Sequence, residues 1–179
     1  LGCCASIDEN VGRLFQTLRH RGEWENTLKI YISDHGSHFR TRNGEYKRSC
    51  HDASIHVPMI LQGPGVPAGA VRQELTSLLD IPATVLAAAG LPVAHLRGMP
   101  LQRLFEGAEG WREELFVQVS ESEIGRAVRT GRYAYGVSVP VERVDDPRAG
   151  SPAYLEECLY DLEKDPFELN NLLGDEAYA

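Results

Sequence analysis

The sequence predicts an α/β layer followed by a small antiparallel β subdomain. Two observations carry that prediction. Over residues 1–110 the apolar pattern runs helix, strand, loop, strand, helix, which is the grammar of a sheet flanked by helices. From Trp111 onward short strand-like runs follow one another without intervening helices, so residues 111–179 read as a second unit.

Each element has a local reason. Ile7, Val11, Leu14, Phe15 and Leu18 recur at steps of three and four, and Gly22 stands where a helix C-cap belongs. No initiator Met or signal peptide precedes this helix, and a chain that opens in mid-helix reads as a piece of something larger. "NTLKIYIS" (Asn26–Ser33) reads as a buried strand. A polar, Gly-containing loop follows from Asp34 to about Ser54, and "VPMILQGPG" (Val57–Gly65) is a second apolar run stopped by a turn. "TSLLDIPATVLAAAGL" predicts a helix with Asp80 as N-cap, Pro82 in the tolerant first turn and Gly90 at its end. In the second unit "ELFVQVS" is a strand, "GRAVRTGRYAYGV" a hairpin turning at Thr130-Gly131, and "CLYDL" a further strand. "EKDPFELNNLL" predicts a turn and a short closing helix, and Glu142–Pro152 the most mobile loop.

Composition narrows the function classes. Apolar residues make up 42% and charged residues 25%, ordinary for a globular domain, and the formal net charge is −8. That acidity disfavours nucleic acid and anionic membrane surfaces as partners. The longest apolar stretch, around Leu78–Leu91, is broken by Asp80 and Pro82 and cannot span a bilayer. The four cysteines (Cys3, Cys4, Cys50, Cys158) fit no zinc spacing. Cys3 and Cys4 read as small buried hydrophobes, and the redox compartment stays undecided.

Against this acidic background one loop is basic. "SDHGSHFRTRNGEYKRSCHD" holds Arg40, Arg42, Lys47 and Arg48 against Glu45 and Asp52, directly after a strand ending in Asp34-His35. The carboxyl edge of a sheet is where ligands collect in α/β folds. Asp supplies a hard oxygen and His a nitrogen for a cation, and Gly36 permits a sharp turn beneath it. Lys is a compact charge suited to a tetrahedral anion, and Arg grips two oxygens. His51, four residues beyond Lys47, would share a helical face with it and could serve as proton donor. The bland alternatives stand beside these: Asp34 as a loop cap, His35 and His51 as hydrogen-bonded loop histidines, and the basic run as a solvated face.

Six motifs in order give the chain a resemblance to the type I sulfatases of the alkaline phosphatase superfamily. They are Asp8-Glu9-Asn10-Val11-Gly12-Arg13-Leu14, Ser33-Asp34-His35-Gly36, Lys47 with Asp52, His56-Val57-Pro58, the helix Ser77–Gly90, and Leu159-Tyr160-Asp161-Leu162 through Asp165-Pro166-Phe167-Glu168 to Asn171-Leu172. His56 stands where Arg is commoner and Asp52 where Glu is usual. The resemblance implies the C-terminal portion of an alkaline-phosphatase-like sandwich, a mixed sheet flanked by helices, with residues 111–179 as the antiparallel subdomain. It implies Asp34 and His35 as ligands of a divalent cation, Ca²⁺ first, and Lys47 as the group that binds sulfate and steadies the bridging oxygen. The mechanism implied is in-line attack on sulfur by a hydrated formylglycine.

The nucleophile motif itself, C-x-P-S-R or S-x-P-S-R beside an Asp-Asp pair, has no counterpart in the sequence. Ser138-Val139-Pro140 begins one and breaks at Val141, and Asp145-Asp146 precedes Pro147 in a loop. The 179 residues alone are therefore expected to be inactive and to bind Ca²⁺ poorly. The intact enzyme is expected to act on a sulfated small molecule or saccharide. His38, Arg40, Arg42, Asn43 and Glu121 are candidate substrate contacts, with loop hydrogen bonding as their alternative role. A phosphonate monoester or phosphodiester hydrolase of the same superfamily and a non-catalytic anion- or partner-binding remnant are the competing functions. An exposed apolar face would favour self-association.

Overall fold

The computed structural model describes residues 1–120, 123–140 and 150–178. Glu121, the pair Asp145-Asp146 and most of the Glu142–Pro152 loop lie outside the described residues. Two compact units emerge, and they do not follow chain order. One comprises Leu1–Tyr31, Met59–Val71 and Leu79–Gly107. The other comprises Ile32–Pro58, Arg72–Leu78 and Ala108–Ala179. Ile32–Pro58, grouped with residues 1–110 on sequence grounds, thus belongs to the unit that holds the larger sheet.

In the first unit, helix α1 spans Gly2–His20. Gly22, at φ 70°, ends it: its N–H reaches the Arg19 carbonyl while the Glu23 N–H reaches Leu18, the Schellman pairing. The chain then folds Trp24 back against Phe15 (5.1 Å between ring centroids) and beneath the Arg19 guanidinium (3.9 Å). Strand β1 (Lys29–Ile32) pairs with β2 (Met59–Gln62) in a two-stranded sheet. The expected buried strand is only half-buried, because a two-stranded ribbon leaves both faces partly open, and Tyr31 is exposed. The short helix α2 (Asp52–Ile55), between these strands in the chain, belongs to the second unit.

Helix α3 runs from Asp80 to Ala88. Asp80 is its first residue and not a side-chain N-cap; its carboxylate accepts the Met99 N–H at 2.8 Å instead. Thr84 donates to the Asp80 carbonyl (2.7 Å) and accepts the Leu101 N–H (2.9 Å). Both side chains are fully buried, so these bonds satisfy groups that water cannot reach. They tie α3 to the 3-10 turn Leu101–Phe105, whose Leu101 and Leu104 form the buried apolar centre together with Ala83.

The second unit is built on a four-stranded antiparallel meander, β3 (Glu114–Ser120), β4 (Glu123–Thr130), β5 (Tyr133–Pro140) and β6 (Leu155–Asp161). The β4–β5 register pairs Arg129 with Ala134, so the connection turns one residue later than Thr130-Gly131 suggests. Thr130 Oγ1 accepts the N–H groups of Arg132 (3.3 Å) and Tyr133 (2.8 Å) and holds that turn. Ile124, Ala127, Ala134, Val139, Cys158, Tyr160 and Leu162 are buried against the sheet.

The predicted closing helix after β6 does not form. Residues 162–175 make successive turns, and the only helical piece beyond them among the described residues is the 3-10 turn Glu176–Tyr178. Pro166 has no N–H to donate and Glu168 sits at φ 55°, a conformation that no right-handed helix accommodates. Asp165 takes the Asn170 N–H on its side chain (2.7 Å), competing with the helical ladder.

Cys3 and Cys4 are exposed on α1, which has no buried residue, contrary to the expectation of buried thiols. None of the four cysteines is in a disulfide, and burial pushes the Cys158 thiol up to about 12. Iodoacetamide at pH 8 is expected to label Cys3 and Cys4 within minutes and to leave Cys158 unlabelled until denaturant is added. Equal labelling of Cys158 in the native chain, read by peptide mass spectrometry, would contradict its placement. No helix among the described residues is long and apolar enough to cross a membrane.

Candidate functional site

The end of β1 delivers Asp34 and His35. Ser33 Oγ bonds the His35 carbonyl at 2.8 Å and curls the chain as it leaves the strand. His35 Nδ1 faces the Gly36 carbonyl at 2.7 Å and must carry the proton there. Nε2 is then a lone pair, and the Lys47 ammonium donates to it at 3.0 Å. The Asp34 carboxylate lies 3.5 Å from the same nitrogen, with its side chain 84% exposed. His35 Nε2 thus has the Lys47 ammonium on one side and the Asp34 carboxylate on another. Tyr46 flanks the group, its ring 6.2 Å from that of His35 and 5.5 Å from the ammonium. Sequence reasoning passed over Tyr46, although its place beside Lys47 was a usable signal.

Backbone bonds hold Lys47 in place. The Tyr46 carbonyl accepts both the His38 N–H (2.9 Å) and Ser37 Oγ (3.1 Å). Asn43 closes the loop from within, donating to the Arg48 carbonyl (2.7 Å) and accepting the Glu45 N–H (2.9 Å). On the other side, α2 lies against Gly36, whose N–H donates to Ser54 O at 2.8 Å. A Cβ on residue 36 would stand 2.3 Å from the Ala53 carbonyl oxygen. Gly36 is therefore required by close approach of two backbones and not by the sharp turn its sequence suggested, since its φ is not positive.

The basic run divides. Arg42 turns inward and donates to the carbonyls of Glu168 (2.5 Å) and Phe167 (2.7 Å). Arg48 pairs with Glu45 at 3.2 Å. Arg40 is exposed, at φ 62° next to an equally exposed Phe39 at φ 50°. Of the four bases, Arg42 is engaged by the carbonyls of residues 167 and 168 and Arg48 by Glu45, which leaves Lys47, bonded to His35, and the exposed Arg40. His38 is 2% exposed, and neither ring nitrogen has a partner among the described residues, so its ring is withdrawn from the surface that Arg40 occupies.

His51 does not share a helical face with Lys47, because Lys47 lies in irregular chain and His51 precedes the first turn of α2. Its ring is buried and its Nε2 meets the Tyr160 hydroxyl at 3.2 Å. Burial, then the neighbouring Arg42 and His38, pushes its pKa down to about 4. At neutral pH it is an uncharged imidazole inside the unit, which removes the cationic proton donor inferred from spacing.

Asp52 and Glu168 form a second polar cluster. Asp52 takes a two-pronged bond from Arg129 on β4 (3.1 and 3.2 Å), with His56 Nδ1 3.8 Å away. Glu168, 2% exposed, accepts the Asp52 N–H (3.0 and 3.3 Å) and lies 3.9 Å from Arg42. Burial first, and the Asp52 carboxylate second, pushes Glu168 up to about 7.

As a cation site the donor chemistry fits in part. Asp34 offers a hard oxygen and His35 a nitrogen whose tautomer leaves the lone pair outward, yet no group of three or more His, Cys, Asp or Glu is set to hold a metal among the described residues.

The sulfatase family model matches residues 1–91. Choline-sulfatase of Rhizobium meliloti (strain 1021) is 31% identical over 93% of the chain. Mouse arylsulfatase K is 29% identical over 94%. The chain spans 31% of the length of each. A structure solved in complex with its substrate D-glucosamine-2-N,6-O-disulfate superimposes at a TM-score of 0.81, with 26% identity, over 98% of this chain and 36% of that one. The α/β fold, with its two-stranded sheet and its four-stranded antiparallel sheet, is accordingly that of part of an alkaline-phosphatase-like protein. With a match that runs through half its length, from α1 across the Asp34–Lys47 loop and into α3, the chain belongs to the sulfatase family.

Proposed function

We propose that this chain forms the sulfate- and cation-facing side of an active site that hydrolyses sulfuric esters. The observation that carries the reading is that Lys47 Nζ and Asp34 Oδ2 lie 3.0 and 3.5 Å from one atom, His35 Nε2, just beyond the end of one strand. Lys47 supplies a compact positive charge to a sulfuryl oxygen and offsets the charge that grows on the bridging oxygen as the S–O bond breaks. Asp34 and His35 would hold one edge of a divalent cation, Ca²⁺ first, which when bound supplies Lewis-acid polarisation of the ester oxygens. A cation held by His35 Nε2 would take the place of the Lys47 ammonium at that nitrogen and leave the ammonium to substrate. Arg40, exposed and without a role in the loop's own hydrogen bonds, is the remaining candidate contact for an anionic substrate. His38 and His51 are withdrawn from substrate by burial.

The substrates proposed are sulfated small molecules or saccharides. The name of the choline-sulfatase relative and the disulfated glucosamine bound by the structural neighbour support that class. Nucleic acid and membrane surfaces fit poorly with a charge of −8. α1, which leaves Ile7 and Leu14 exposed, offers a face for self-association.

The direct test uses the 179-residue chain and its Lys47→Ala variant. Sulfate titrated to tens of millimolar should shift the His35 and Gly36 amide signals of the first, and the variant should lose at least about tenfold in affinity. Neither protein should hydrolyse 4-nitrophenyl sulfate, because no residue in the sequence forms the nucleophile motif. Sulfate shifts unchanged by Lys47→Ala would overturn the assignment of Lys47, and turnover that Lys47→Ala abolishes would overturn the assignment of half a site.

A further inference from the structure

Glu168 lies far along the chain from Lys47, yet the hydrogen bonds lead from one to the other. Its carboxylate accepts the N–H of Asp52, the first residue of α2, through both oxygens. Within α2 the His56 N–H returns to the Asp52 carbonyl at 2.8 Å, and Ser54 O receives the Gly36 N–H at 2.8 Å. Gly36 in turn presents its carbonyl to His35 Nδ1, which sets the tautomer that Lys47 meets at Nε2. Nothing in this chain of contacts is slack, since Ala53 O lies where a Cβ of residue 36 would be. Arg42, from the same loop, grips the carbonyls of Phe167 and Glu168 and closes the circuit in the other direction.

We propose that Glu168 is a positioning residue for the Lys47–His35 pair, acting through α2 and Gly36. A buried carboxylate that accepts a backbone N–H fixes a helix start more rigidly than solvent does, and removing it leaves that N–H unsatisfied. Its backbone at φ 55° is strained for any residue but glycine, and Arg42 holds it there from both carbonyls. The groups facing it are Arg42, Asp52 and Arg129, with Tyr160 and Cys158 near enough to feel its charge. Burial and the neighbouring Asp52 carboxylate disfavour a charge on Glu168 more than Arg42, Arg129 and the Asp52 N–H favour it, so the packed unit is more stable with the proton on Glu168 than without it. The functional consequence rests on the reading of Lys47 given above, but the contact chain is tested without any substrate.

Amide hydrogen exchange of the full chain, as protection factors between pH 6 and 8, tests the proposal in wild type, Glu168→Gln and Glu168→Ala. Glu168→Ala should lower protection of Gly36, Ser54 and His56 by about tenfold or more while β4 and β5 amides change less than about threefold. Glu168→Gln keeps an acceptor for Asp52 N–H and should restore most of the loss. Wild-type protection at Gly36 and His56 should fall by up to about tenfold across that pH range and stay flat in Glu168→Gln, other titrations being common to both. Uniform loss across loop and sheet in Glu168→Ala, or identical pH dependence in wild type and Glu168→Gln, overturns the proposal. If Glu168→Ala does not fold, the pH dependence of wild type against Glu168→Gln is decisive by itself. Failure here leaves the sulfate titration of Lys47→Ala untouched, and the reverse also holds.

Discussion

Replacing Gly36 with alanine is expected to destabilise the chain by about 2–3 kcal/mol and to break the contact between Lys47 and His35. The added methyl would sit 2.3 Å from Ala53 O and 3.2 Å from Ala53 C. Both are backbone atoms, so no rotamer change relieves the overlap. Two relaxations remain. Either α2 withdraws and the 2.8 Å bond from Gly36 N–H to Ser54 O opens, or the His35–Gly36 peptide rotates and the His35 Nδ1 bond to the Gly36 carbonyl is lost. The first exposes buried Ser54, and the second frees the imidazole that Lys47 addresses. Urea midpoints and the His35 ring signals measure the two together. Gly44→Ala is the control, because nothing lies within 4 Å of a Cβ there and its φ is not positive. That variant should be neutral or slightly stabilising. Equal stability of the two variants, with His35 unmoved, would show that α2 does not abut the Asp-His-Gly segment.

Stability should also fall as pH rises through 7, and Glu168 is the cause. Its native pKa of about 7 exceeds the ordinary 4.5, so the folded chain holds this proton more tightly than the unfolded one. The contribution is complete below about pH 4.5 and disappears as pH rises through the native value. The full span would be about 3 kcal/mol, and screening by nearby water reduces the expected loss to about 2 kcal/mol between pH 5 and 8. Asp161 acts in a different window: Arg132, bonded to it at 2.8 and 3.2 Å, holds its carboxyl down to about 2, so that contribution is present at neutral pH and lost only in strong acid. Urea unfolding at pH 5, 6, 7 and 8 separates the groups. Glu168→Gln should flatten the profile above pH 5, and a wild-type profile that rises from pH 6 to 8 would contradict the burial of this carboxylate beside Asp52.

The pairing of Asp34-His35 with Lys47 was legible because it depends on strand end, loop and motif order, all local in sequence. The same holds for α1 and its Gly22 terminus, where one period and one glycine suffice. Arg42 was not legible. It lies in the same basic run as Lys47, but its partners are carbonyls 125 and 126 residues away, and no local pattern announces them. His51 misled for a related reason: four-residue spacing from Lys47 implies a shared face only if a helix spans both, and here α2 begins after His51. The closing helix failed where Pro166 and the strained backbone of Glu168 outweighed helical periodicity, a strain held in place by Arg42 from the other end of the unit.

By itself, then, the sequence determined the family motifs, the order of α/β layer and antiparallel strands, and the short stretch from Asp34 to Lys47 on which the proposed site rests, since these follow from residue type and short-range period. Only the tertiary structure decided which bases are engaged by distant carbonyls, why residue 36 must be glycine, and that Glu168 holds the first residue of α2. Those depend on which distant backbone atoms come into contact, and burial and close approach are properties of the folded chain that no local window contains.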